Sequence, residues 1–313
     1  MNKLPLVSVV MITYGHENYI EEAINGVLFQ DCDFEIELII SNDCSPDNTD
    51  AVVNKICQNH PKANIINYIK QEQNIGIMPN FLQAIKQCKG KYIALCEGDD
   101  FWTDANKLQK QVDFLESNNE YVVVYHDVNV VDSSSQLLDR KILTDEIKKD
   151  FTGLEMQKGA FIMPMTMCFR NIISDYPSEM YEVLNGDTFL ISILGQYGNG
   201  KYFDTIKPSS YRVHSGGIWS SNNELSKIKN KRNTYKKLAQ YHKRINNTDV
   251  ASFFVNTYQN CTENYLTLSL KSKNRIEIIK AYACFIWDFK FKKMVYLHKI
   301  ILNSMLRNNT KLN

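Results

Sequence analysis

The feature of the sequence that most restricts its fold is a repeated alternation of strand-like and helix-like segments over the first 125 residues. Short β-branched runs are each followed by a longer segment whose apolar residues recur at helical spacing. Parallel strands are joined by crossover connections that are usually helices. The sequence therefore predicts an α/β fold, with a mostly parallel sheet covered by helices on both faces. The predicted strands are 7–13, 37–41, 64–70, 91–96 and 121–131, and the predicted helices are 17–30, 47–60, 106–117 and one that starts at Pro79.

Polar clusters follow four of these predicted strands. They occupy residues 13–17, 41–45, 73–76 and 97–100. Ligands of open α/β sheets bind in the crevice beyond the carboxyl ends of the strands. We therefore expect the four loops to converge on one rim of the sheet and to form a binding site there.

The last of these clusters is an acidic turn that contains Glu97, Asp99 and Asp100. Three carboxylates within four residues repel one another, and a hard divalent cation would relieve that repulsion. Mg2+ and Mn2+ accept oxygen ligands, and such ions commonly share their ligands with substrate phosphates. An isolated acidic pair is more often a solvated turn or a helix cap. Here the position of the pair, directly after a buried strand, favours a metal site.

Two other kinds of nucleotide site match the sequence poorly. A dinucleotide-binding or P-loop site needs a glycine-rich loop after the first strand, so that the backbone can approach the phosphates. The corresponding turn reads TYGHEN, with a single glycine and bulky neighbours. A nucleotidyltransferase would need a glycine-rich, basic loop at the same point to hold a triphosphate. Both classes are therefore disfavoured.

The order and spacing of the motifs resemble the inverting family-2-type glycosyltransferases of bacteria, which have the GT-A fold. The resemblance is close over residues 5–118 and reaches about residue 219 in scattered motifs. It implies metal-dependent transfer of a sugar from a nucleotide-diphosphate donor, with a UDP-sugar expected, to an acceptor hydroxyl. The implied task is the synthesis of a surface polysaccharide or glycoconjugate, with a glycan or lipid-linked glycan as acceptor. The segments that carry the resemblance are VSVVMITY (7–14), ELIISND (37–43) with Ser45, NIG (74–76) through Asn80, GKYIALCEGDDFW (90–102) and KLQKQ (107–111).

The resemblance implies roles for individual residues around the donor. Glu97 and Asp99 occupy the outer positions of the family's DxD motif, where the first residue departs from the pattern by being Glu. We expect Asp99 and Asp100 to contact the metal, which would be Mn2+ or Mg2+. For Thr13 and Tyr14, simple packing at the strand end is the alternative. The residues expected to bind the nucleotide sugar are Thr13 and Tyr14 at the base, Glu17 nearby, Asp43 as acceptor of a hydrogen bond from the base, Asn74 and Gly76 against the nucleoside, and Glu97 and Asp99.

The predicted general base is Asp187. Inverting transfer needs one base to take the acceptor proton, and it needs no general acid if a metal stabilises the departing diphosphate. The segment 185–190 matches the Asp-rich motif in which the family places this base. It departs from the family at Gly186, where most members have an acidic residue. A helix cap for residues 188–194 is the structural alternative for Asp187.

A further constellation, YRVHSGGIW, spans residues 211–219 and resembles the bacterial branch of the family. His214 ends a predicted strand and would ligate the metal from the side opposite the carboxylates. Arg212 would face the diphosphate, and Trp219 would pack near the sugar or the acceptor. The remaining histidines, His16 and His126 among them, lack a comparable context and are expected to be packing or surface residues.

The C-terminal part differs from the rest in charge. Residues 225–313 contain 18 Lys and Arg against 4 Asp and Glu. We therefore predict a catalytic domain over 1–222 and a basic helical extension over 223–313. The extension would either lie on an anionic membrane surface or pack as helices with solvated basic faces. No nucleic-acid-binding motif accompanies the charge, so nucleic acid is not an expected partner.

The cellular location predicted from the sequence is the cytoplasm, with peripheral attachment to the inner face of the membrane as an option. The eight cysteines form no CxxC pair, which favours buried free thiols in a reducing compartment. The apolar run at 4–12 lacks a signal-peptide cleavage site, and no run reaches the length of a membrane span. A non-catalytic nucleotide- or glycan-binding relative is the alternative function, and its only support is Gly186.

Overall fold

The computed structural model describes residues 5–217, 219, 222–272 and 274–289. The chain divides into two compact units. The first unit consists of residues 1–181 and 186–220, and the second consists of 182–185 and 221–313.

The first unit is built on a seven-stranded sheet with the strand order β3-β2-β1-β4-β7-β5-β8, and β6 pairs with β9 in a separate two-stranded sheet. Strand β7 runs antiparallel to β4 and β5, and every other pair in the described residues is parallel. The predicted α/β fold with a mostly parallel sheet is confirmed. The strands are β1 Val7–Thr13, β2 Ile36–Asn42, β3 Ile66–Lys70, β4 Tyr92–Leu95, β5 Tyr121–His126, β6 Val128–Val131, β7 Cys168–Arg170, β8 Asn199–Phe203 and β9 Ser209–Arg212.

Helices cover the sheet and begin close to the predicted positions. The interior consists of β-branched and other apolar residues of β1, β2 and β4 packed against α1, and it excludes water on both faces of these strands. The helices of the first unit are α1 Ile20–Leu28, α2 Thr49–Asn59, α3 Ile77–Ile85, α4 Lys107–Ser117, α5 Gly153–Gln157 and α6 Gly186–Leu194.

The prediction of one strand over 121–131 is wrong, because the chain breaks at Asp127 into β5 and β6, which belong to different sheets. The Asp127 carboxylate accepts a hydrogen bond from the Val128 backbone N–H at 2.8 Å and pairs with Lys148. A side chain that binds its own backbone competes with the strand ladder and favours a bend. The sequence is apolar on both sides of Asp127, so its pattern gives no indication of this break.

Up to Phe289, where the description of the second unit ends, its helices are α7 Glu224–Arg244, α8 Thr248–Ser272 and α9 Arg275–Phe289. Residues 182–185 join it because Glu182 pairs with Lys237 and its carbonyl accepts a hydrogen bond from Asn233. A buried ion pair between Arg232 and Asp288 fixes α7 against α9. Among the described residues, no helix has both the length and the apolar character that crossing a membrane requires.

Candidate functional site

The acidic turn lies at the carboxyl end of β4 and is anchored to β1. The Cys96 backbone N–H donates to the Val10 carbonyl at 3.1 Å, and the Gly98 N–H donates to the Ile12 carbonyl at 3.0 Å. A Cβ atom at Gly98 would lie 2.7 Å from the Thr13 hydroxyl oxygen, so only glycine allows this close approach. The turn is therefore held at a fixed position, with the side chains on both sides of Gly98 at the rim of the sheet.

Asp99 is the centre of a cluster with two histidines. Its Oδ2 atom lies 3.0 Å from His214 Nε2 and 3.6 Å from His16 Nε2. The three candidate ligand atoms all lie within 4.8 Å of one another, and within the described part of the chain this is the one such group of potential metal ligands. The His214 ring also packs on the Tyr19 ring, at 4.6 Å between centroids. We call His16, Asp99 and His214 the HDH cluster.

The electrostatics of the HDH cluster favour an ionised carboxylate. Burial pushes the pKa of Asp99 upward, but the neighbouring His16 and His214 outweigh it, so its pKa lies below the usual value. Burial lowers the pKa of His16, with Asp99 acting in the opposite direction, so the net effect favours the neutral imidazole. A neutral imidazole and an ionised carboxylate are the protonation states in which these side chains bind metals.

His16, predicted to be a packing or surface residue, thus lies beside Asp99 and His214, and a role for it at a metal stays a proposal. His16 reaches the cluster because the chain turns sharply after β1, where Gly15 has φ +74° and its N–H donates to Ser45 Oγ at 3.0 Å. The Thr49 hydroxyl accepts a hydrogen bond from the His16 backbone N–H at 2.9 Å and fixes the residue further. His126, in contrast, is fully buried in the interior, as predicted.

Asp100 and Arg212 make hydrogen bonds within the protein, and their predicted roles at the metal and at the diphosphate stay predictions. The buried Asp100 carboxylate accepts a hydrogen bond from the Arg212 backbone N–H at 2.9 Å, and burial raises its pKa well above the usual value. The Arg212 guanidinium, only 2% exposed, pairs with Glu22 at 2.5 Å and donates to the Asp99 carbonyl at 2.9 Å. Both side chains are used to join β9 to the acidic turn.

The buried polar atoms around the cluster fit a bound cation. Thr13 Oγ1, His16 Nδ1 and Glu97 Oε2 are buried without a hydrogen-bond partner among the described residues. Such atoms cost free energy unless a ligand, ion or water satisfies them. Burial, with the charge of Asp99, raises the pKa of Glu97 to about 8. A nearby cation would reverse that shift, because it stabilises the ionised carboxylate.

Asp187 lies in the first turn of α6, near the acidic turn, since its charge contributes to the raised pKa of Glu97. Burial raises the pKa of Asp187 itself, with hydrogen bonds from the Thr188 and Asp187 backbone in opposition. Asp187 is the second residue of the helix rather than the residue that caps it. The structure thus brings the predicted base into the neighbourhood of the acidic turn.

Gly186 packs against the end of the Met78 side chain. A Cβ atom at this position would lie 2.2 Å from Met78 Sδ and 2.6 Å from Met78 Cε. Met78 of α3 thus occupies the space that the side chain of an acidic residue would need. Both atoms belong to the flexible end of the methionine side chain, so this packing accommodates the glycine without requiring it.

Asp43 organises the loop that precedes α3. Its carboxylate accepts hydrogen bonds from the Ile75 and Gly76 backbone N–H groups, at 2.7 and 2.9 Å. Asn74 Oδ1 also accepts from the Gly76 N–H at 3.1 Å, and Gly76 has φ +91°, a conformation that favours glycine. Asp43, Asn74 and Gly76 therefore lie together, as expected for one wall of a nucleotide pocket. Their contacts with a base or nucleoside stay a prediction.

Thr13, Tyr14 and Glu17 lie at the carboxyl end of β1, the parallel strand next to β2. Thr13 is buried, and its carbonyl accepts a hydrogen bond from the Asp43 N–H at 3.0 Å, while the Tyr14 side chain is half-exposed. The Glu17 carboxylate accepts from the Asn48 backbone N–H at 2.9 Å, at the start of α2. The structure thus brings Thr13 and Asp43 together and leaves the Tyr14 ring accessible. Trp219 is partly buried, and its contact with sugar or acceptor stays a prediction.

Comparison with known proteins decides the family. The model of glycosyl transferase family 2 matches residues 8–176, which is more than half of the chain. The chain belongs to glycosyl transferase family 2. The resemblance seen in the sequence motifs is thereby confirmed.

A relative of this family 2 chain occurs in Mycobacterium tuberculosis. This uncharacterized protein is 39% identical over 217 residues, which cover 69% of the chain and 61% of the relative. The chain therefore spans about three fifths of the length of that relative.

Two solved structures share the fold of this family 2 chain. S. aureus TarS 1–349 in complex with UDP-GlcNAc superposes with a TM-score of 0.55, at 18% identity over 91% of each chain. The mannosyltransferase PcManGT from Pyrobaculum calidifontis, in complex with GDP-Man and Mn2+, has a TM-score of 0.58 at 12% identity, over 98% of this chain and 88% of that one. At these identities the likeness concerns the fold, and it confirms the predicted GT-A-like architecture.

Proposed function

We propose that the chain is an inverting, metal-dependent glycosyltransferase that uses a nucleotide-diphosphate sugar, a UDP-sugar foremost. The acceptor would be a hydroxyl of a glycan or lipid-linked glycan in the synthesis of a surface polysaccharide or glycoconjugate. The observation that carries the proposal is the HDH cluster beside Glu97 and Asp187 at the carboxyl ends of the strands. Family membership supports it, as do the nucleotide sugars bound by TarS and PcManGT.

The HDH cluster would hold the cation. When bound, a divalent cation supplies positive charge that stabilises the departing diphosphate. The donor set of two imidazoles and one carboxylate favours Mn2+ over Mg2+, because Mg2+ is a hard ion that is bound through carboxylates, phosphates and water. The GDP-Man complex of PcManGT also contains Mn2+.

Asp187 would act as the general base. As the acceptor oxygen forms its bond to the anomeric carbon, its proton passes to the Asp187 carboxylate. The bond from the anomeric carbon to the diphosphate breaks on the opposite face, and its electron pair leaves with the diphosphate. Burial raises the pKa of Asp187, which brings the base closer to neutral pH and strengthens it as a proton acceptor.

The alternative is a non-catalytic nucleotide- or glycan-binding relative, whose only support is Gly186. A panel of nucleotide sugars including UDP-GlcNAc and GDP-mannose tests the proposed sugar transfer and this alternative. We expect thermal stabilisation by the nucleotide only when Mn2+ is present, and slow release of the nucleoside diphosphate that a chelator stops. A protein that no nucleotide stabilises in the presence of Mn2+ would refute the proposal, and stabilisation without turnover would favour the alternative.

The contribution of His16 to the cluster gives a separate prediction. We expect His16→Ala to raise the Mn2+ concentration at half-maximal turnover by about tenfold or more, because it removes one of three ligands or orienting groups. The measurement is the rate of nucleotide release against Mn2+ concentration at saturating donor. His60→Ala, which lies outside the HDH cluster, should leave the midpoint unchanged. An unchanged midpoint in His16→Ala would exclude His16 from the metal site.

A further inference from the structure

Helix α9 of the second unit carries an exposed apolar stripe. Ile276, Ile279 and Trp287 are 65%, 69% and 75% exposed, and Ala283 lies between them. The spacing of three and four residues places these side chains on one face of the helix. We call Ile276, Ile279, Ala283 and Trp287 the α9 stripe. A row of large apolar side chains this exposed commonly marks a site of interaction.

The opposite face of α9 is buried within the second unit. Ala281, Phe285 and Phe289 are buried and form a core with Tyr265 and Leu266 of α8. The helix therefore packs within its own unit through these residues. The side chains of the α9 stripe take no part in that packing.

The charges of α9 are distributed unequally between the two faces. Its two carboxylates point into the unit: Glu277 accepts a hydrogen bond from the Tyr265 hydroxyl at 2.8 Å, and Asp288, only 1% exposed in its side chain, pairs with Arg232. Arg275 and Lys280 are exposed. Lys280 also lies 3.7 Å from the Glu277 carboxylate, which Lys229 approaches as well, so the exposed side of the helix presents apolar side chains with Arg275 and the largely exposed Lys280 beside them.

The sequence that follows α9 adds to this charge. Residues 290–313 contain six Lys and Arg and no Asp or Glu. The partner that complements such a surface is apolar in its interior and anionic at its edge. A second copy of the chain would bring like charge against Arg275 and Lys280 and is disfavoured.

We propose that the α9 stripe docks on an anionic membrane surface. Isoleucine side chains enter the boundary between headgroups and acyl chains, and tryptophan is enriched at that level because its ring is amphipathic. Lysine and arginine beside the stripe are attracted to anionic headgroups. This inference concerns a surface of the second unit and does not depend on the proposed sugar transfer.

Vesicle co-sedimentation of the full chain tests the proposal. We expect binding to phosphatidylcholine vesicles with about a third phosphatidylglycerol, and much weaker binding to phosphatidylcholine alone. Replacing the three large residues of the α9 stripe by serine should lower the partition coefficient at least about tenfold. A matched triple variant at exposed apolar residues of the first unit should bind as the unchanged protein does. The variants are Ile276→Ser, Ile279→Ser, Trp287→Ser and, as control, Phe29→Ser, Leu137→Ser, Leu154→Ser.

A fluorescence measurement keeps the test independent of the folding of the triple variant. In a Trp219→Phe background, the remaining tryptophans are Trp287 and the buried Trp102. We expect a blue shift of the emission and quenching by brominated lipid when anionic vesicles are added. Absence of quenching, or equal vesicle binding by the α9 stripe variant and the control, overturns the proposal. The proposal is also overturned if the unchanged protein is a dimer that does not bind vesicles and the α9 stripe variant is a monomer.

Discussion

Asp99→Asn is expected to lower metal-stimulated turnover of the donor by at least about a thousandfold. Asp99 is the only carboxylate in the HDH cluster, and the amide that replaces it is a weak, uncharged ligand. The substitution also removes the charge that opposes the lowering of the His16 pKa by burial. The readouts are kcat/KM for release of the nucleoside diphosphate and direct binding of Mn2+ by electron paramagnetic resonance.

The hydrogen bonds that hold the acidic turn in place should be retained in Asp99→Asn. The Asp99 backbone carbonyl still accepts the hydrogen bond from Arg212, and Asp100 still binds the Arg212 backbone N–H. The melting temperature in the absence of metal should therefore change little. Asp139→Asn, an exposed aspartate of the same unit, is the matched control and should retain Mn2+ binding and turnover. Unaltered Mn2+ affinity in Asp99→Asn would place the metal elsewhere.

The fold of the first unit could be predicted because the sequence patterns that determine its strands and helices are local. The β-branched run of β1 was predicted at 7–13 and lies at Val7–Thr13. The rule that ligands bind beyond strand ends also predicts that the acidic turn, Thr13 and Asp43 share one rim of the sheet. The break at Asp127 was not predictable from apolar content, because it depends on a side-chain contact with Lys148.

The site was harder to predict, because its decisive contacts join residues distant in sequence. The pairing of Arg212 with Glu22 spans 190 positions, and nothing near Arg212 in the sequence indicates that its charge is used internally. The approach of His16 to Asp99 is a second example, because an isolated histidine in the sequence gives no sign of such a contact. His16 stands in a polar cluster directly after β1, and the strand-end rule applied to Thr13 and Tyr14 would also have pointed to it.

Asp187→Asn is expected to lower sugar transfer by about a thousandfold or more while donor binding stays within a few-fold of the unchanged protein. The amide keeps the shape of the carboxylate but cannot accept the acceptor proton. Because the metal and the nucleotide would be held by other residues, the loss should fall on kcat rather than on the affinity for the donor. Asp175→Asn, an exposed aspartate, is the control and should leave both quantities unchanged.

The pH dependence of sugar transfer distinguishes a general base at Asp187 from a residue with a purely structural role. Only the ionised carboxylate can act as base, so transfer is lost as the pH falls below the pKa of Asp187. Since burial raises that pKa, the acid limb of kcat/KM should lie above the ordinary aspartate value of 3.8. The residual activity of Asp187→Asn should lack this limb, because the titrating group is gone. Because protonation of the HDH cluster would also release the metal at low pH, the profiles are compared at saturating Mn2+. Transfer at the original rate in Asp187→Asn would show that another group takes the proton.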